Sequence, residues 1–225
     1  MIFSKLWGAL TGESSQPATM LGQELDRYNS VMQNMASDLG IRLRTSRDYV
    51  SFGDTMLSSV QQVLNLGDAA LGGAEQGLMW CLCAAGVAYC KGGEYYKAID
   101  CWKILSENSA DDASRAAAYL LGRMYFDGEV IPQDKQEAMK CWIHAAVGGY
   151  LDAQLWLGLD LAALYLYPEA GYWLSVAAER GHPQAKRELA ALPQLVREHP
   201  DLYTMNEVNA KIAEGRRDAR NWPNA

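Results

Sequence analysis

Long apolar runs, an excess of basic residues, histidine and disulfide-type cysteine spacing are all scarce or missing in this 225-residue chain. No window approaches the ~18 consecutive apolar residues of a bilayer span, so no membrane-spanning helix is expected. Lys and Arg number 20 against 27 Asp and Glu, a formal charge of -7. That balance gives no electrostatic reason to bind a phosphate backbone, and nucleic acid drops out of the expected partners. The cysteines, Cys81, Cys83, Cys90, Cys101 and Cys141, are an odd number in apolar, helix-like surroundings, unlike the even, loop-punctuated framework of a secreted domain. They read as buried small side chains in a reducing compartment. Cys81 and Cys83 project from nearly opposite sides of a helix and no C-x-x-C turn brings ligands together, so no metal is expected. The opening MIFSKLWGALTG has one lysine, an interrupted apolar run and no small-residue cleavage site, a poor secretion signal. Cytoplasmic localisation is the expectation.

Catalytic signatures are missing as well. There is no G-x-x-x-x-G-K-[ST], no G-x-G-x-x-G after a strand and no H-E-x-x-H. The three histidines, His144, His182 and His199, have no Ser, Cys or Asp beside them in a recognisable triad order. The chain is expected not to be an enzyme and to need no cofactor. A hydrolase site assembled across distant helices is the remote alternative.

What is present is repetition, at a period that signals stacked helical units. Gly86, Tyr89 and Gly92 recur as Gly122, Tyr125 and Gly128 at a spacing of 36, and Gly122 recurs as Gly158 at the same spacing. Cys101–Trp102 recurs as Cys141–Trp142 at 40, the four extra residues being the loop VIPQ. Each copy reads as two helices. In the middle copy Ala117, Leu121, Gly122 and Tyr125 share one face of a 3.6-residue period, and Gly128 and Pro132 end that helix. Ala138, Cys141, Trp142 and Ala145 form the buried stripe of the second helix, which stops at Gly148–Gly149. Small residues let the paired helices approach, while Trp102, Trp142, Trp173, Tyr89 and Tyr125 fill the core beside them.

The pattern resembles the Sel1-like repeat, a relative of the tetratricopeptide repeat. The match rests on LG-x-x-Y-x-x-G at Leu121 to Gly128, on Ala138 to Trp142, and on AA-x-x-G at Ala145 to Gly149. Leu157–Gly158, Ala170, Trp173 and AAERG at Ala177 to Gly181 carry it in the third copy. The resemblance implies an all-α fold, a short right-handed α-solenoid of Sel1-like helix pairs with helical caps at both ends. The expected segments are an N-terminal stretch 1–19, a helical cap 20–74, about three repeats over 75–190, and a C-terminal capping helix with a frayed tail over 191–225. In that family the first helix of each pair lines a concave face, which implies a partner-binding set of Tyr119, Arg123, Phe126, Trp156 and Asp160; the alternative is that these side chains pack on the flanking helices.

The cap is expected to hold a helix over 20–39, with Leu25, Tyr28, Met32, Met35 and Leu39 inward and Gly40 as its stop. A second helix starts at Thr45 with Asp48 completing a capping box, places Tyr49, Met56, Val60, Val63 and Leu64 inward, and stops at Gly67. At the far end Pro193 and Pro200 are expected to interrupt the chain before a helix over 205–217. The N-terminal stripe Ile2, Phe3, Leu6, Trp7 and Leu10 is too short to span a bilayer and fits docking on a protein surface. The implied function is non-enzymatic protein binding, first as a bacterial cytosolic immunity protein that occludes a toxin or effector, otherwise as an adaptor or regulator scaffold. Five of the seven excess negative charges fall in 75–190, which suits a basic or neutral protein partner.

Overall fold

A computed structural model describes residues 19–65, 75–108 and 111–222. Every regular element among them is helical: α1 Thr19–Asp26, α2 Asn29–Asp38, α3 Ser46–Asn65, α4 Glu75–Gly92, α5 Tyr95–Asn108, α6 Asp112–Asp127, α7 Lys135–Val147, α8 Leu151–Ala163, α9 Tyr167–Glu179, α10 Pro183–Glu198 and α11 Met205–Asn221. The all-α class holds, and no helix is long and apolar enough to cross a membrane among the described residues. The stripe from Ile2 to Leu10 and the stop at Gly67 lie outside the described residues. The chain divides into two compact units, the first ending at Cys141 and the second beginning at Trp142. That division falls inside α7, whereas the expected boundary at 190/191 falls inside α10.

In the first unit α4 is buried without a break from Leu82 to Cys90, as a helix apolar on all sides must be. It packs against α3, α5 and α6, and α1 rests on α6. The box that opens α3 forms as expected: Thr45 donates its N–H to Asp48 Oδ2 at 2.8 Å, and Asp48 donates its N–H to Thr45 Oγ1 at 3.3 Å. Phe52, Gly53, Met56 and Val60 are its buried face, while Leu64 is exposed. Gly53 lets the buried Tyr89 ring lie against the helix, and the Tyr89 hydroxyl donates to Asp54 Oδ1 at 2.8 Å. The single helix expected over 20–39 is two. Arg27 and Tyr28 turn back with i–3 hydrogen bonds, and Asn29 donates its side-chain amide to Asp26, a local competitor to helix continuation. The inward residues of α2 are Met32 and Ala36; Leu39 is exposed.

In the second unit α8 is buried from Ala153 to Ala162, α9 packs between α8 and α11, and α10 lies on α9. Gly171 and Gly215 permit the close crossing of α9 and α11. Thr204 and Glu207 cap α11 reciprocally, through Thr204 N–H to Glu207 Oε2 at 2.7 Å and Glu207 N–H to Thr204 Oγ1 at 3.4 Å. The tail is seated through Trp222, whose ring meets Trp173 edge-on at 6.4 Å with the Arg180 guanidinium 5.8 Å away. Pro193 does not interrupt the chain, because α10 continues through it to Glu198.

The hairpins α4–α5 and α8–α9 share their packing. A Cβ on Gly86 would lie 2.2 Å from Trp102 Nε1, and one on Gly158 would lie 2.8 Å from Leu174 Cγ. Leu174 therefore stands where Trp102 stands, each four residues after its alanine, Ala170 and Ala98. Trp173, expected in the core, is one position round the helix and only half-buried. The turns match too. Gly93 (φ 87) and Tyr165 (φ 63) are both left-handed, with Glu94 N–H to Tyr89 C=O at 2.8 Å and Leu166 N–H to Leu161 C=O at 2.9 Å, the closing bond of a Schellman cap.

Candidate functional site

The five residues implied for partner binding are all buried by the rest of the chain: Tyr119, Arg123 and Phe126 in the first unit, Trp156 and Asp160 in the second. Their helices, α6 and α8, are buried around almost their whole circumference. The Arg123 guanidinium chelates Asp127 at 3.0 and 3.1 Å, one turn along α6. Burial pushes the Asp127 carboxyl up to about 6 against the pull of Arg123, and the carboxylates of Glu129 and Glu24 add to the rise. Lys135 sits 5.9 Å above the Phe126 ring, and Gln133 donates to the Phe126 carbonyl at 2.7 Å. In the second unit Trp156 stacks at a tilt on Trp142, with centroids 5.7 Å apart.

Two of the histidines have structural work. His182 caps α10: the Ala185 N–H donates to Nδ1 at 3.3 Å, which leaves Nε2 to carry the proton toward Asp152 Oδ1 at 3.0 Å. Both ring nitrogens are engaged, so the pair is not poised as a general base. His199 meets the Tyr165 ring edge-on at 5.0 Å. No group of three or more His, Cys, Asp or Glu is placed to hold a metal ion among the described residues. The cysteines are unbridged, three of them buried and Cys81 and Cys141 half-buried. Burial pushes Cys83 and Cys141 up to about 12 and Cys101 up to about 11, and raises Cys81 and Cys90.

An exposed surface that the sequence did not announce lies at the α8–α9 turn. Leu164, Tyr165 and Leu166 are 53, 41 and 37% exposed, and Leu202, at 51%, lies three residues beyond His199. The rings of Tyr165, Tyr167, His199 and Tyr203 join these positions through contacts of 5.0 to 6.2 Å. Tyr165 holds this surface in a left-handed conformation that costs a residue with a Cβ roughly 1 kcal/mol. The equivalent turn of the first hairpin uses Gly93 and avoids that cost. Strain retained beside exposed aromatic surface marks the turn as the best candidate for contact with a partner. The available signal was the missing glycine, since position 165 follows Gly93 by two periods of 36.

Glu188 is a second position that sequence reasoning passed over. It lies on the buried stripe of α10 with Ala185, Leu192 and Val196, is 1% exposed, and neither carboxylate oxygen makes a hydrogen bond within standard geometry. Burial raises its pKa above the ordinary 4.5, with only Gln184 and Arg187 opposing the rise. The folded chain therefore holds a proton that the unfolded chain releases first. Well below pH 4.5 both states are protonated and ionisation of Glu188 adds no penalty; that penalty grows as pH climbs from there through the folded-state pKa. Glu188→Met removes the buried carboxylate at nearly constant volume. It is expected to raise stability at pH 7 by about 1–2 kcal/mol, with the gain shrinking toward pH 4. Urea melts at the two pH values measure this, and a pH-independent difference would reject the assignment.

No protein-family model, curated protein or solved structure matches this chain.

Proposed function

We propose that this chain is a non-enzymatic protein-binding module built from Sel1-like helix pairs. The observation that carries the reading is the exposed patch at the α8–α9 turn, kept in place by a strained Tyr165 where glycine would relieve the backbone. Rigid helices display it, so association orders few side chains, and an aromatic anchor of this kind supplies a large share of binding energy. Exposed Glu198 and Asp201 beside the patch favour a basic or neutral partner. Within this class, occlusion of a toxin or effector in a bacterial cytosol is the role the family resemblance implies.

Tyr119 and Arg123 are buried, so substituting them perturbs the fold along with any interface. Tyr165→Gly avoids that ambiguity: it removes the ring and relaxes the backbone, and stability should change by less than about 1 kcal/mol. The test captures partners from lysate on the wild-type chain, purifies the recovered protein and titrates it against Tyr165→Gly combined with Leu202→Ser. At least tenfold weaker binding with an unchanged melt is expected. Undiminished affinity would remove this surface from the function.

A further inference from the structure

The geometry points to a peptide-binding groove between α10 and α11, distinct from the α8–α9 turn, that takes an extended apolar segment carrying carboxylates. The groove has a volume of about 560 Å³ and belongs wholly to the second unit, a size within the roughly 300–1,000 Å³ of ligand clefts. Leu189, Pro193 and Ile212 give it an apolar floor. Pro193 has no N–H, so α10 runs past the groove with one helical donor missing. Asn209, exposed on the α11 wall, offers a side-chain amide that both donates and accepts, suited to the backbone of an extended segment.

Charge selects the occupant. Lys186 stands exposed on the rim with no carboxylate within ion-pair distance among the described residues. Arg216 is the other rim cation, and its Nε is 3.3 Å from Glu179 in a pair whose side chains are 50 and 42% exposed. A solvated pair of that kind is worth at most ~1 kcal/mol, so an incoming carboxylate can share the guanidinium. The rim thus carries two cations and one anion, the opposite sign to the chain as a whole.

The probe is an acetylated, amidated hexapeptide alternating leucine with glutamate, alongside leucine–glutamine and leucine–lysine counterparts and a glutamine version with a free terminal carboxylate. Amide chemical shifts of the full-length chain are followed up to millimolar peptide. The glutamate peptide is expected to shift Lys186, Ala190 and Asn209 and to bind at least fivefold more tightly than the lysine peptide. Lys186→Glu should reverse that order. Ala190→Trp fills the groove from an exposed position and should abolish the shifts while leaving circular dichroism unchanged. Tightening of the glutamine peptide by its free carboxylate would assign the site to chain termini, and tightening only by side-chain carboxylates would assign it to internal acidic segments; both support the groove. Equal affinity for all four peptides, shifts outside the groove, binding that survives Ala190→Trp, or no shift at millimolar peptide would each overturn the proposal.

Discussion

Replacing Gly86 with alanine is expected to destabilise the first unit by about 3 kcal/mol or more. The new methyl would lie 2.2 Å from Trp102 Nε1 and 2.6 Å from Cε2, well inside van der Waals contact. The indole has no exposed area, and its N–H is committed to the Cys83 carbonyl at 3.3 Å, so the ring has nowhere to turn. The clash forces α4 from α5 instead. Gly158→Ala makes the same change at longer range, 2.8 Å from Leu174 Cγ and 3.2 Å from its backbone nitrogen, and should cost roughly half as much. Gly77 provides the control. It lies near the start of α4 with open space around it, and Gly77→Ala should gain about 0.5–1 kcal/mol from helix propensity alone. Urea midpoints for the three variants must fall in that order; a Gly86→Ala midpoint at the wild-type value would reject the close α4–α5 packing.

Gly215→Ala is the second large effect and acts on the seat of α11. There the methyl meets the Ser175 Oγ at 2.3 Å and the Tyr172 carbonyl oxygen at 2.5 Å. A side chain can rotate away, but a backbone oxygen inside α9 cannot. α11 must lift, breaking the Ser175 hydroxyl bond to the Ile212 carbonyl (3.1 Å) and the Tyr172 hydroxyl bond to Asp218 (2.9 Å). The expected loss is again about 3 kcal/mol, felt locally. Hydrogen exchange should show α11 amides losing protection about a hundredfold while α8 stays protected, and a protease should cut the 199–204 connection sooner. Unchanged α11 protection would show that the crossing tolerates a side chain. Because α11 forms one wall of the α10–α11 groove, the same variant should also release peptide.

Helix periodicity was legible because small and aromatic residues recur at 36 and 40 positions, and the described helices of the repeats and of both caps lie where helix is expected, two of them within the one helix expected over 20–39. Errors arose where a local rule met tertiary context. Pro193 reads as a breaker, yet α10 has enough apolar contact through Leu192 and Val196 to absorb one missing hydrogen bond. Trp173 was assigned to the core because tryptophan filled that role in two other copies; counting four residues from Ala170 selects Leu174 instead. The implied partner-binding residues came from the family geometry and not from their own chemistry. Spacing places Tyr119 and Arg123 on one helix face, but it does not say whether that face meets water, and both are buried. The α8–α9 surface was hidden for a related reason: a tyrosine in a left-handed turn has no pattern of its own.

All five thiols lie between Cys81 and Cys141, in the first unit, and the described second unit has none. Burial raises the pKa of each, and Cys83, Cys90 and Cys101 are closed to solvent as well. The wild-type chain therefore carries a built-in clock. Alkylation of Cys83, Cys90 and Cys101 by a thiol reagent advances only when the first unit opens, so its rate times that unit's excursions without an added label, and a cysteine introduced at the buried Val176 position would time the other unit in the same sample.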